Sequence, residues 1–277
     1  MPPDSVHLTV VGSVNLDLVT RATRLPRPGE TLTDATFDRY PGGKGANQAA
    51  AAARLGADVT FFGCVGDDPF ADEALAGLRE GHVDLRVEAV DAPTGVASIL
   101  VDEAGENVIV VAPGANRHVQ APRFGGGETV LCQLEIPVET VIDCAATAGS
   151  FWLNAAPAVP IPASLVERAD VLVANRYELE DLPTTPALAV VTLGEEGAVL
   201  LEDGRETARA QPPKVAAVDG TAAGDAFAAC LAVSRLEGRA WDEALQRSCA
   251  AGALAASRPG AQPSLPTPSE IDEILSP

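Results

Sequence analysis

Lysine is almost missing from this chain: Lys44 and Lys214 are the only two among 277 residues, and every other basic side chain except histidine is an arginine. Acidic residues outnumber basic ones, 39 Asp and Glu against 19 Lys and Arg, for a formal net charge of −20. Nucleic-acid binders need clustered Lys and Arg to neutralise phosphates, so no nucleic-acid partner is expected. Long apolar runs are also absent. The alanine-rich stretch 49–53 is bounded by Gln48 and Arg54, far short of the ~18 apolar residues a membrane helix needs, so no membrane span is expected. Met1-Pro2-Pro3-Asp4-Ser5 carries no basic segment ahead of an apolar one, and no signal peptide is expected. The five cysteines, Cys64, Cys132, Cys144, Cys230 and Cys249, include no C-x-x-C pair. That argues against a zinc site or disulfide framework and for small buried residues in a reducing cytoplasm.

What is present is enough apolar material for a sizeable core, 47% of residues, with an ordinary charged share of 21%. Strand and helix patterns alternate. Buried strands are expected at 8–14, 59–65, 130–134, 151–154, 171–174 and 189–193. Helices are expected at 45–55, 69–80, 225–236 and 241–256. Such alternation implies a parallel sheet covered on both faces. A second set, at 16–23, 30–40, 96–101 and 107–111, alternates like half-exposed strands, the last two joined by a turn at 102–106. These come from separate places in the chain, so they read as a small sheet growing out of the main one.

Several segments carry chemistry. Asp219-Gly220-Thr221-Ala222-Ala223-Gly224-Asp225 leads directly into an apolar helix, and small residues there let backbone N–H groups face an anion. Asp225 is open to two readings: a carboxylate that satisfies the first helical turn, or a base working on a neighbouring hydroxyl. Pro41-Gly42-Gly43-Lys44-Gly45-Ala46-Asn47-Gln48 is not a Walker A loop, because Gly follows Lys44 and the upstream glycine is missing. Its glycines permit close backbone approach, and Lys44 and Asn47 supply donors; a tight turn before a helix is the plainer alternative. Asn15 and Asp17 fall on one side at the end of the first strand, and Glu135 ends another, where open α/β sheets bind ligands. Read alone, Glu135 is equally a surface strand end. Asn175-Arg176-Tyr177-Glu178 suits either an ordinary helix start or the orientation of water around a phosphate-bound magnesium.

In this order the segments resemble the ribokinase, or PfkB, family of carbohydrate kinases, from about residue 8 to residue 275. The matching runs are Gly12-Ser13-Val14-Asn15-Leu16-Asp17, Pro28-Gly29-Glu30-Thr31, 42–49, Gly66-Asp67-Asp68, Thr94-Gly95-Val96-Ala97, Gly105-Glu106-Asn107-Val108, Gly114-Ala115-Asn116, Gln133-Leu134-Glu135, 154–158, 175–178, 222–225 and Gly260-Ala261-Gln262-Pro263-Ser264. The resemblance implies a single α/β domain over 1–277, a three-layer α/β/α sandwich with a mainly parallel sheet. A β lid, its strands interleaved at roughly 15–40 and 95–112, would clasp a second copy into a homodimer. It implies ATP-dependent phosphorylation of a small sugar, ribose at O5 foremost. A sister kinase for deoxyribose, fructose or a nucleoside, or a weakly active sugar-binding regulator, are the alternatives. Asn15, Asp17, Gly43, Lys44, Gly45, Ala46, Asn47 and Glu135 would hold the sugar. Asp225 would be the catalytic base, with the N–H groups of Ala222, Ala223, Gly224 and Asp225 around the transferring phosphoryl group. Asn175, Thr192, Leu193, Gly194, Glu195, Glu196, Gly197 and Cys249 would serve the nucleotide, together with Gly224 and Asp225. Glu178 would reach Mg2+ through water, and K+ would sit near Asp219, Thr221, Ala255, Arg258, Gly260 and Ser264.

The chain departs from that pattern at four places. Gly220 stands where the family usually has Thr or Ser, and Cys249 where a His lies beside the adenine. The segments 116–130 and 180–189 are each too short for a helix expected there. Loss of those helices would expose apolar sheet surface unless a partner or rearranged neighbours cover it.

Overall fold

The structure, a computed structural model, describes residues 5–104 and 106–276. Residues 1–4, where the absence of a signal peptide was read, lie outside the described residues, as does Gly105 of the matched turn. The chain opens with β1 (His7–Val11), β2 (Asn15–Arg21), β3 (Thr36–Gly42), α1 (Lys44–Arg54) and β4 (Asp58–Gly66). Short helices α2 (Pro69–Ala74) and α3 (Ala76–Glu80) precede β5 (Asp84–Val90), β6 (Gly95–Val101), β7 (Asn107–Ala112) and β8 (Thr129–Cys132). Then come α4 (Val138–Thr147), β9 (Ser150–Asn154), α5 (Ala163–Arg168), β10 (Val171–Asn175), α6 (Arg176–Glu180) and β11 (Leu188–Thr192). The hairpin β12 (Ala198–Glu202) and β13 (Arg205–Ala210) leads to α7 (Ala223–Leu236), α8 (Trp241–Ala256) and α9 (Pro268–Leu275).

The main sheet has nine strands in the order β13-β12-β11-β10-β9-β8-β1-β4-β5, parallel except for β12 and β13. Its side chains alternate between two buried layers. Leu8, Val10, Leu131, Trp152, Val173 and Val190 face the layer that contains α1, α7 and α8. Val11, Cys132, Phe151, Leu153, Leu172 and Val191 face the layer of α4 and α5. The chain runs outward from β1 in both directions across the sheet. The carboxyl ends of β1 and β8 therefore lie at the switch point where such sheets bind ligands.

The second sheet has four strands, β3-β2-β6-β7, and is mixed, because β2 pairs parallel with β6. It forms the expected lid. Thr94, just before β6, fixes it to the end of β4: its hydroxyl donates to Asp68 Oδ1 (2.8 Å) and accepts from the Gly66 N–H (3.0 Å). Asp68 also caps α2 through the Phe70 and Ala71 N–H groups.

Four expectations need correction. The strand expected at 30–40 starts only at Thr36, because Glu30 folds back onto the Arg24 guanidinium and the Arg27 N–H in a closed turn. The first strand stops at Val11 rather than 14, since the chain leaves the main sheet to enter β2 of the lid. The helix expected at 69–80 divides at Leu75, which turns into the core with φ −90 and ψ −4. The strand expected at 130–134 ends at Cys132, and Gln133 and Leu134 continue without ladder pairing.

The shortened segments behave as read, with no α-helix between Val119 and Glu128 or between Asp181 and Ala187. The sheet is nevertheless covered there. Val119 is fully buried, Phe124 packs edge-on against Phe62 at 6.4 Å between ring centroids, and Leu182 packs on the same layer. Irregular backbone of the chain itself carries side chains that cover this face.

Candidate active site

The link from β1 to α1 is built by close backbone approach. Gly43, at φ +90, precedes α1, and a Cβ there would meet the Asn15 nitrogen at 2.8 Å and the Ser13 oxygen at 2.9 Å. A Cβ on Gly45 would lie 2.6 Å from Gly12, so the two glycines let the helix start press against the end of β1. The Ala46 N–H donates to the Ser13 carbonyl (2.9 Å), and the Ser13 hydroxyl donates to Glu135 Oε2 (2.6 Å). The same Glu135 oxygen accepts from the Lys44 N–H (3.0 Å). Glu135 is thus fixed by the helix start and is not a free strand end.

Asn15 and Asp17 lie on β2, almost fully buried. Asn116 holds Asn15 in place, donating to its Oδ1 (2.8 Å) and to the Val14 carbonyl (3.0 Å), and accepting from the Val14 N–H (2.8 Å). A cavity of about 480 Å³ opens here, lined among others by Asn15, Asn116, Leu134 and Glu135, with the lid contributing Val111.

Asp225 lies one turn into α7, and it does not cap that helix: Ala222 occupies the N-cap position with no side-chain bond. Its carboxylate is instead held by two buried amides of α1, Asn47 Nδ2 on Oδ2 (2.9 Å) and Gln48 Nε2 on Oδ1 (2.9 Å). Gln48 also donates to Asn154 Oδ1 (2.8 Å) and accepts from Gln133 Nε2 (2.6 Å). The first N–H groups of a helix have no intrahelical acceptor. A Cβ on Gly224 would meet nothing within 4 Å, so an anion can come close to this helix start.

Four carboxylates act on Lys44. Burial disfavours its charge, but Asp225, Glu135, Glu178 and Asp17 outweigh burial and hold its pKa above the ordinary lysine value. Burial also raises the Asp225 pKa, opposed by Lys44 and the amides of Asn47 and Gln48. Asp17 is pushed up to about 7, first by burial and then by the negative charges of Glu135, Asp225 and Asp219. A carboxyl raised in this way binds a proton more tightly than a free one and is the better proton acceptor.

The expected nucleotide residues come together in part. Parallel pairing sets Asn175 beside Thr192 at the ends of β10 and β11. Asn175 and Glu178 cap α6 reciprocally: the Glu178 N–H donates to Asn175 Oδ1 (2.9 Å) and the Asn175 N–H to Glu178 Oε2 (2.8 Å). The plain helix-start reading is therefore realised, while Glu178, its pKa raised by burial, still exerts its charge on Lys44. Leu193 leads into the turn Gly194–Glu196, where Glu195 and Glu196 are exposed, and Gly197 packs on the Ala210 carbonyl. Cys249 is a buried thiol near the same carbonyl (3.8 Å), its pKa pushed up to about 12 by burial.

Among the residues expected at a monovalent cation, Asp219, Thr221 and Gly260 meet. Asp219 Oδ1 accepts from the Thr221 N–H (3.0 Å) and hydroxyl; Oδ2 accepts from the Gly260 N–H (3.0 Å) and Arg21 Nη2 (3.3 Å). Those four donors fill about all the lone-pair positions a carboxylate has. Ala255 accepts from the Arg258 N–H, Arg258 pairs with Glu270 (2.6 Å), and Ser264 donates to Ala261 (2.7 Å). The Asp219 carboxylate fits a further cation poorly, because a guanidinium already lies on it.

Ser13, Gln48, Asn116, Gln133 and Asn154 were given no role from sequence, yet they fix the residues that were. Their signal was available: each is an uncharged polar residue in or beside an apolar run, where an unpaired amide or hydroxyl would be costly.

The family described as pfkB family carbohydrate kinase matches residues 6–268. The chain is 36% identical to the ribokinase of Bacillus subtilis (strain 168), covering 98% of this chain and 99% of that one. It is 35% identical to the ribokinase of Schizosaccharomyces pombe, covering 96% and 97%. The structure of Arabidopsis thaliana ribokinase complexed with ribose and ATP superposes with a TM-score of 0.86 at 31% identity, covering 98% of this chain and 99% of that one. With Asp225 clamped at an open helix start and buried polar residues gathered around Lys44, the chain belongs to the pfkB family of carbohydrate kinases, phosphotransferases acting on a sugar hydroxyl.

Proposed function

We propose that this chain uses ATP to phosphorylate ribose at O5, with Asp225 as general base. The observation that carries the reading is the Asp225 carboxylate, oriented by Asn47 and Gln48 at the head of α7. The sugar hydroxyl oxygen attacks the γ-phosphorus, the bond to the β-phosphate oxygen breaks, ADP leaves, and the hydroxyl proton passes to Asp225. Ala222, Ala223, Gly224 and Asp225 offer N–H groups where negative charge develops. Asn15, Asp17, Gly43, Gly45, Ala46, Asn47 and Glu135 hold the sugar on one side of Lys44. Asn175, the Thr192 to Gly197 turn and Cys249 form the nucleotide side. Magnesium would be carried by the nucleotide phosphates and oriented through water by Glu178, where it would neutralise phosphate charge. A monovalent cation at Asp219 would have to displace a donor that the carboxylate already holds.

The exposed apolar residues Phe37, Val108, Ile109, Val110 and Val111 on the lid support a homodimer through that sheet. Five free, buried cysteines support a reducing, cytoplasmic setting. Among the described residues no helix is long and apolar enough to cross a membrane.

ADP release measured with ribose, 2-deoxyribose, fructose and a nucleoside tests the substrate. The highest kcat/KM is expected with ribose. A clear preference for the nucleoside would overturn the assignment, and tight ribose binding without turnover would make the chain a regulator.

A further inference from the structure

Arg21 is the last residue of β2, the lid strand that also carries Asn15 and Asp17. It crosses 198 positions of sequence to reach Asp219, with side-chain exposures of 31% for Arg21 and 13% for Asp219. Asp219 begins the loop that delivers Ala222 to Asp225 to the head of α7. A second lid residue reaches the same place: Tyr40 of β3 lies so close over Gly260 that a Cβ there would meet its ring at 2.9 Å. Gly260 in turn donates to the same Asp219 oxygen as Arg21. Gly220 has no side chain to stiffen the loop, and a Cβ on it would meet nothing within 4 Å. Backbone bonds from the Val218 and Asp219 N–H groups to the Ala256 carbonyl (2.7 and 3.0 Å) anchor the start of the loop. Its only charged side-chain anchor among the described residues is Asp219, and one of the four donors on that carboxylate is a charged side chain from the lid.

We propose that Arg21 is a positioning residue that supplies from the lid the positive charge this loop would otherwise take from a monovalent cation. The guanidinium neutralises Asp219 and fixes the loop, so the N–H groups before Asp225 are set without a bound ion. It also makes the loop depend on the lid, since β2 ends on Arg21. Arginine suits this task because its charge is permanent and its donors lie in a fixed plane.

The proposal rests on the kinase reading, and the test separates the two. Wild type, Arg21→Ala and Arg21→Lys are compared in potassium chloride and in tetramethylammonium chloride of equal ionic strength, by thermal melting and by ADP release with ribose. Wild type should show the same Tm and nearly the same kcat in both salts. Arg21→Ala should lose about 2- to 5-fold in kcat in tetramethylammonium, the scale of one partly exposed ion pair. Potassium should restore that loss and raise the variant's Tm, and Arg21→Lys should behave as wild type. A wild-type enzyme that needs potassium as much as Arg21→Ala does, or an Arg21→Ala variant with no cation response, overturns the proposal. The melting arm decides it even if no sugar is turned over, an outcome that would sink the ribokinase reading alone.

Discussion

A carboxylate that must take a proton from an alcohol is useful only when it is unprotonated and aimed. Asp225 is aimed by amides rather than by a second charge, so Gln48 should matter beyond its size. Gln48→Leu removes a donor that favours the charged form, and the Asp225 pKa should rise further. Turnover should then be lost at a higher pH than in wild type, and kcat at neutral pH should fall about 5- to 150-fold for ~1–3 kcal/mol of lost hydrogen bonding. A pH–rate profile with an unmoved acid limb would refute the positioning role. Asp17 gives a second test at this scale. Its folded pKa of about 7 lies above the ordinary 3.8, so the stability due to its proton is complete below about 4 and lost as pH rises through 7. Asp17→Asn should therefore melt above wild type at pH 8, with the gap shrinking toward pH 5 by ~1.4 kcal/mol per pH unit. A gap that does not change with pH would contradict the assignment. The charged members of this site were legible in sequence because Lys44 and Asp225 stand at glycine-bearing helix starts and Asp17 and Glu135 follow closely on buried strands. The amides that aim them were not, because an isolated Gln or Asn in an apolar run does not reveal its partner.

Elements position these residues through backbone contact. Gly45 lies in the first turn of α1, where alanine would ordinarily stabilise a helix by about 0.5–1 kcal/mol. Here a Cβ would sit 2.6 Å from the Gly12 and Ser13 backbone, and relieving that overlap should cost about 1–3 kcal/mol. The clash wins, so Gly45→Ala should lower the urea midpoint and weaken catalysis by moving Lys44 and Asn47. An unchanged midpoint would show that β1 and α1 can separate freely. Most buried strands and the two long final helices announced themselves by composition. The edge strand β5 did not: its Asp-Leu-Arg-Val-Glu-Ala-Val sequence alternates charge with apolar residues, and it is half-exposed. The β12–β13 hairpin and the short helices α4 and α5 were likewise unread. α4 and α5 cover the sheet with only a few apolar residues, too short a stretch for a clear helical period.

At the scale of the molecule, the order of motifs made the two-sheet plan legible, but the fate of the two shortened segments was not. Periodicity cannot show that Val119, Phe124 and Leu182 would cover the sheet from irregular backbone. The lid leaves its apolar β7 side exposed instead, and the proposed dimer would bury it. Wild type should sediment as a dimer and Val110→Glu as a monomer; a monomer in both cases would remove that use of the lid. Everything from lid to sheet edge converges on Asp225, and the most direct test is the single-turnover rate of Asp225→Asn with ribose and ATP. Loss of a positioned base should cost about 10²- to 10⁴-fold in rate, with ribose affinity within a few-fold of wild type. A rate near that of wild type would contradict Asp225 as the base.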